Sequence, residues 1–210
     1  MDVVIDGKRG VIDVPPNAPF KIILDSIYSW TSTQRRAVVT LRLDGLYLSE
    51  ERQTSLKEKP LSGSQVLEVI TQSHADVALS ILDDLGHHLV TMRRLQEGAE
   101  GLIVSGQYQQ GLTALLECFR AWGLLMDAVG RVVKVAGLDL RTVRVEGETL
   151  EDRVLKVHEV LSRLQSALDT KDVVRLGDLT QYELGALLEA WPQFLERLRA
   201  GIRPVPSLGT

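Results

Sequence analysis

Six consecutive residues, Asp83-Asp84-Leu85-Gly86-His87-His88, concentrate metal-ligating and acid–base side chains. On a helix Asp83 and His87 share one face, and Asp84 and His88 the next, because positions four apart are neighbours. Neutral imidazole beside a carboxylate can bind zinc or iron, so this run is the candidate centre of a metal-dependent enzyme. Carboxylate-bridged di-metal bundles need more: a Glu from each of two helices and a Glu-x-x-His from each of two others. The chain has one Asp-x-x-His, at Asp84 and His87, without a second copy, and His158-Glu159 spans two neighbouring faces. The simpler expectation is that Asp83, Asp84 and His87 are solvated and His88 packs beside Leu85 and Leu89. That reading calls for no metal and no other cofactor.

Other chemistry is thinner. Cys118 lies in Leu115-Leu116-Glu117-Cys118-Phe119, in mid-helix among apolar neighbours. A nucleophilic thiol wants a helix N-terminus or a cation to lower its pKa, so Cys118 is expected to be a small buried side chain. Gly98, Gly101, Gly106 and Gly111 form neither a phosphate loop nor a dinucleotide fingerprint. No Gly-x-Ser-x-Gly elbow or His-Glu-x-x-His occurs. Trp122 and Trp191 fall on apolar stripes; they either anchor a core or, on an exposed groove, serve as partner hot spots. They are the candidate partner-binding residues. Arg35-Arg36 and Arg93-Arg94 are pairs rather than basic tracts and read as solvated ends of elements. With no catalytic constellation, the expectation is a protein that is not an enzyme.

The elements that would position these residues change character near residue 74. Before it, short β-branched runs alternate with turn residues. Val3-Val4-Ile5 and Val11-Ile12-Asp13-Val14 flank Asp6-Gly7-Lys8-Arg9-Gly10 as a hairpin, and Pro15 to Pro19 stop the second strand. Phe20 to Ser32 reads as a helix. Ala37–Leu43, Leu46–Leu48 and Val66–Ile70 read as strands, with a polar link to Leu61 and a turn at Ser62-Gly63-Ser64. After residue 74, apolar residues recur every three or four positions. Four stripes result: Ile81 to Leu102, capped by Asp76; Tyr108 to Val133, closed by Gly137; Leu150 to Leu168, opened by a capping box at Thr149–Asp152; and Val173 to Leu198, with a cap offered by the run Asp169-Thr170-Lys171-Asp172. Pro192 sits inside the fourth stripe and predicts a kink or break.

The 210 residues are 44% hydrophobic, 25% charged and 5% aromatic, with one cysteine and a formal net charge of −4. One cysteine excludes an internal disulfide framework and a cysteine-based metal site. Few aromatics and a mild acidic excess, all of it beyond residue 75, argue against nucleic acid and anionic lipid as partners. The first residues lack a signal peptide's apolar core, and no run is long enough to span a membrane, so the expected location is cytoplasmic.

The first third resembles the β-grasp fold of ubiquitin-like domains. The resemblance rests on the order β-β-α-β-β-β, and on the succession from Val38 to Thr71 of strand, Asp44-Gly45 turn, short strand, link with Leu61 and last strand. Conjugated ubiquitin-like proteins and sulfur carriers end in an exposed Gly-Gly. Neither Gln72-Ser73-His74-Ala75-Asp76 nor Leu208-Gly209-Thr210 provides one, so the resemblance implies a binding module. The expected class is α+β: a β-grasp-like domain over 1–73, an all-α four-helix bundle over 74–203 and a flexible tail over 204–210. The expected function is a non-enzymatic protein-interaction module or adaptor with a protein partner. Two alternatives stand beside it. One is a secretion or flagellar chaperone-like bundle that holds an amphipathic client segment in a long apolar groove. The other is the metal-dependent enzyme centred on residues 83–88. The amphipathic helices could also pair with a second copy.

Overall fold

A computed structural model describes residues 1–15, 17–61 and 63–202, a mixed α/β chain that divides into Met1–Val77 and Ala78–Thr210. Pro16 of the expected strand stop, Ser62 of the expected turn and the expected tail at 204–210 lie outside the described residues.

In the first unit, two Asp-Gly pairs each close a hairpin. β1 (Asp2–Ile5) turns through Asp6-Gly7 into β2 (Lys8–Arg9), and Ile5 pairs with Lys8. β3 (Arg36–Leu43) turns through Asp44-Gly45 into β4 (Leu46–Tyr47). Both central residues of each turn have positive φ, 48° and 78° in the first and 51° and 79° in the second. That backbone matches strand twist, and Asp-Gly tolerates it best. The tight first turn corrects the expected hairpin. The second strand is Lys8–Arg9, not Val11–Val14, because a two-residue loop brings the chain back at once. Val11, Ile12 and Val14 instead pack against the core outside any strand.

β5 (Val66–Ser73) lies mid-sheet, parallel to β1 and antiparallel to β3, giving the order β2-β1-β5-β3-β4. α1 (Phe20–Thr33) buries Phe20, Ile23 and Ile27 in one cluster with Ile5, Leu41, Leu67, Val69 and Leu61. The polar link contains a short helix, α2 (Glu50–Leu56). Its N-cap Ser49 accepts from Arg52 N at 3.3 Å, and it buries no residue.

α3 (His74–Val104) follows β5 directly. Its start is capped by Ser73, whose hydroxyl accepts from Asp76 N at 3.0 Å and donates to Asp76 at 2.7 Å. Asp76 is therefore the third residue of the first turn rather than the cap. α4 (Tyr108–Ala136) ends at Gly137, which is left-handed as expected. A small hairpin, β6 (Arg144–Val145) with β7 (Glu148–Thr149), occupies the expected loop. α5 (Leu150–Asp169) carries the full Thr149–Asp152 capping box. The fourth stripe divides into α6 (Val173–Asp178), a π-helical turn (Leu179–Leu184) and α7 (Gly185–Gly201). Asp172 caps α6, accepting from Arg175 N at 3.1 Å. The expected break at Pro192 is absent, and α7 runs through it. Pro192 lies on the exposed side of α7. The only amide bond it removes is the one to the Leu188 carbonyl.

The core of this unit is centred on Trp122 and Trp191, 1% and 0% exposed, with ring centroids 6.4 Å apart and edge-on at 64°. Phe194 packs on Trp191 at 6.1 Å, and the Arg153 guanidinium lies 5.6 Å over Phe194.

Candidate functional site

One face of α3 and one face of α7 border an apolar groove of about 670 Å³. Two contacts fix the helices antiparallel. Asp83, near the start of α3, pairs with Arg199 at the end of α7 at 2.5 Å. Gln96, two turns before the end of α3, donates to the Thr180 carbonyl at 3.2 Å. Thr180 lies in the π turn, where the regular helical ladder is interrupted. The buried amide of Gln96 thus satisfies a carbonyl at that interruption. Leu82, Leu89, Leu188 and Leu195 line the groove and are themselves 2–7% exposed. Val90, 54% exposed, and Pro192 line it where it opens to solvent.

The groove's polar groups fall at its ends. At one end lie Asp83, Glu196 and Arg199, with Arg199 shared between Asp83 at 2.5 Å and Glu196 at 3.9 Å. Ten residues along α3, about 15 Å at a helical rise, Arg93 borders the groove. Arg93 makes no side-chain hydrogen bond or ion pair with any described residue. His87 lines the groove too, and its Nδ1 donates to the Asp83 carbonyl at 3.0 Å. A carbonyl only accepts, so Nδ1 carries the proton in this bond.

The structure separates the four residues expected to cooperate. Asp83 and His87 face the groove, but Asp83 is engaged by Arg199. Asp84 is exposed and outside the groove lining. His88 turns to α4, where its Nε2 donates to the Ala121 carbonyl at 2.9 Å and ties the two helices together. Among the described residues, no three His, Cys, Asp or Glu side chains gather to hold a metal ion. Trp122 and Trp191 are both enclosed, which corrects their candidacy as exposed hot spots; their area is spent on the core. Burial pushes the Cys118 thiol up to about 11, with the Glu117 charge adding and a backbone hydrogen bond opposing, so at neutral pH it is protonated and unreactive. Arg93 and Arg94 sit within α3 rather than at its end. The sequence did carry a signal for the groove. Leu82, Leu89 and Val90 widen the apolar face of α3 beyond one stripe, with Arg93 one turn further on.

A family model described as "Domain of unknown function (DUF8042)" matches residues 80–194, more than half of the chain. The chain belongs to the DUF8042 family. The DUF8042 segment takes in nearly all of α3, all of α4 and α5, and α7 as far as Phe194. It therefore holds the α3 wall of the groove and Leu188 and Pro192 of the other wall, while Leu195, Glu196 and Arg199 lie past its end. A protein of Treponema pallidum (strain Nichols), described as uncharacterized, is 23% identical over 197 residues, covering 90% of this chain and 92% of that protein. That similarity extends over both units. No solved structure matches.

Proposed function

We propose that this DUF8042 protein is a non-enzymatic interaction module whose helical unit receives an amphipathic segment of a partner protein in the α3/α7 groove. The observation that carries this reading is the groove itself: an apolar floor of four leucines, open to solvent at Val90 and Pro192, with its charges confined to the ends. Apolar grooves between helices are a recurrent way to hold an amphipathic helix. The separation of Asp83, Asp84, His87 and His88 favours binding over metal-dependent catalysis. On this reading α3 to α7 act as a four-helix bundle in which α6, the π turn and α7 together supply the fourth helix. The first unit is a β-grasp-like binding module; its mixed five-stranded sheet, with α1 packed on one face, supports that assignment. The protein works in the cytoplasm; no helix among the described residues is long and apolar enough to cross a membrane.

Native mass spectrometry of the full chain, purified gently from its own host, tests the reading. A stoichiometric second polypeptide in the wild type, lost in Val90→Lys with the fold intact by circular dichroism, is the expected result. Recovery of the bare chain, or of a bound metal ion that persists in Val90→Lys, would contradict it.

A further inference from the structure

The groove's own charges specify its occupant further. Resting on the reading above, we infer that the partner segment is an amphipathic helix of about three turns, acidic at the end seated by Arg93 and basic at the end seated by Asp83 and Glu196. Three observations lead there. Both walls are helices, whose mid-helix backbone groups are bonded internally, save the Leu188 carbonyl, which loses its usual amide because residue 192 is proline. An extended peptide laid on this floor would leave its own amides and carbonyls without partners, whereas a helix pairs its own. The distance between the charged ends, about 15 Å, equals about ten residues of helix. The ends also differ in sign. Arg93 is a cation with no ion pair among the described residues, while two carboxylates share one arginine at the other end. A second copy of this chain does not fit as well, because a two-fold axis would set groove against groove and leave both unfilled.

Three synthetic 14-residue peptides with one shared leucine ridge test this on the full-length protein, by fluorescence anisotropy at low salt. One carries Glu at one end and Lys at the other, one Lys at both ends, and one Glu at both ends. The Glu/Lys peptide should bind tightest, by about two- to fivefold for each matched end, as exposed ion pairs allow. In Arg93→Glu, which alters an exposed side chain, the Lys/Lys peptide should become the tightest. Equal binding of all three, unchanged in Arg93→Glu, overturns the charge inference and leaves the groove reading standing. Binding of none, or binding insensitive to Val90→Lys, removes the groove reading itself. Arg93-dependent binding of octanoate in place of every peptide would make the occupant a small amphipathic carboxylate and overturn the inference. So would concentration-dependent dimerisation abolished by Val90→Lys, which would make it a second copy.

Discussion

Three glycines of α4 provide a test of the helical packing with a built-in control. A Cβ added at Gly111 would sit 2.7 Å from Ile103 Cγ1 and 3.2 Å from the Ile103 backbone nitrogen. Added at Gly123 or Gly130 it would meet nothing within 4 Å. All three sites gain the same helix propensity on substitution by alanine, about 1 kcal/mol at most. At Gly111 that gain is opposed by overpacking against α3, which costs about 1–3 kcal/mol because a backbone atom must move as well as a side chain. Gly123→Ala and Gly130→Ala should therefore each stabilise by about 0.5–1 kcal/mol. Gly111→Ala should destabilise by about 1 kcal/mol net. Urea unfolding followed by tryptophan fluorescence reads the difference. In a Trp30→Phe background the remaining tryptophans, Trp122 and Trp191, report only the helical unit. At ordinary urea sensitivities the midpoints should move by about 0.3–1 M, upward at 123 and 130 and downward at 111. The penalty at 111 should shrink in Ile103→Ala, as a double-mutant cycle between contacting residues requires. A Gly111→Ala variant as stabilised as the other two would refute the close approach of α3 and α4.

Further predictions concern the core and the caps. Trp191→Ala should cost about 3–5 kcal/mol, read as a loss of thermal stability, because it empties the centre of the Trp122–Trp191–Phe194 cluster. The Asp152 carboxyl is held below its ordinary range, first by the Thr149 hydroxyl and then by the Thr149 amide, with the Lys156 and Arg144 charges adding. A lowered folded pKa means the unfolded chain binds the proton more readily. The stabilisation is therefore complete above the ordinary carboxylate value near 4, and disappears as pH falls through the lower folded value. The melting-temperature difference between wild type and Asp152→Asn should accordingly be present at pH 7 and vanish in acid. Cys118, with its thiol near 11, should react with iodoacetamide at pH 8 at least about a hundredfold more slowly than a free cysteine, and at the ordinary rate in urea.

Local signals were the ones readable in the sequence. The Thr149–Asp152 box and Gly137 depend on chemistry within one turn and stand where the spacing places them, and the cap of α6 is Asp172, from within the run Asp169–Asp172. Long-range packing was harder to read. Of the apolar positions that mark the stripe on α3, Leu85, Leu89, Met92 and Ala99 are buried in the core, whereas Ile81, Leu95 and Leu102 are half-buried flanks beside Leu82, Gln96 and Ile103, which the core uses one residue on. The polar Gln96 hides that local register, because its role depends on the Thr180 carbonyl 84 residues away. α2 escaped because it buries no residue and so has no apolar period. The groove escaped for the same reason as the register: Asp83, Val90 and Arg93 become a site only when α7 brings Pro192 and Arg199 beside them.

Photocrosslinking from position 90, in the protein's own host, tests the central claim most directly. A benzophenone amino acid replaces Val90 in the groove, and in a control replaces Leu155, which is 62% exposed on α5 and outside the groove. The account predicts a single crosslinked polypeptide from position 90, joined through a segment with apolar residues at helical spacing and opposite charges at its two ends, and none from position 155. The same adducts from both positions, or crosslinks from position 90 only to lipid or to this chain itself, would contradict it.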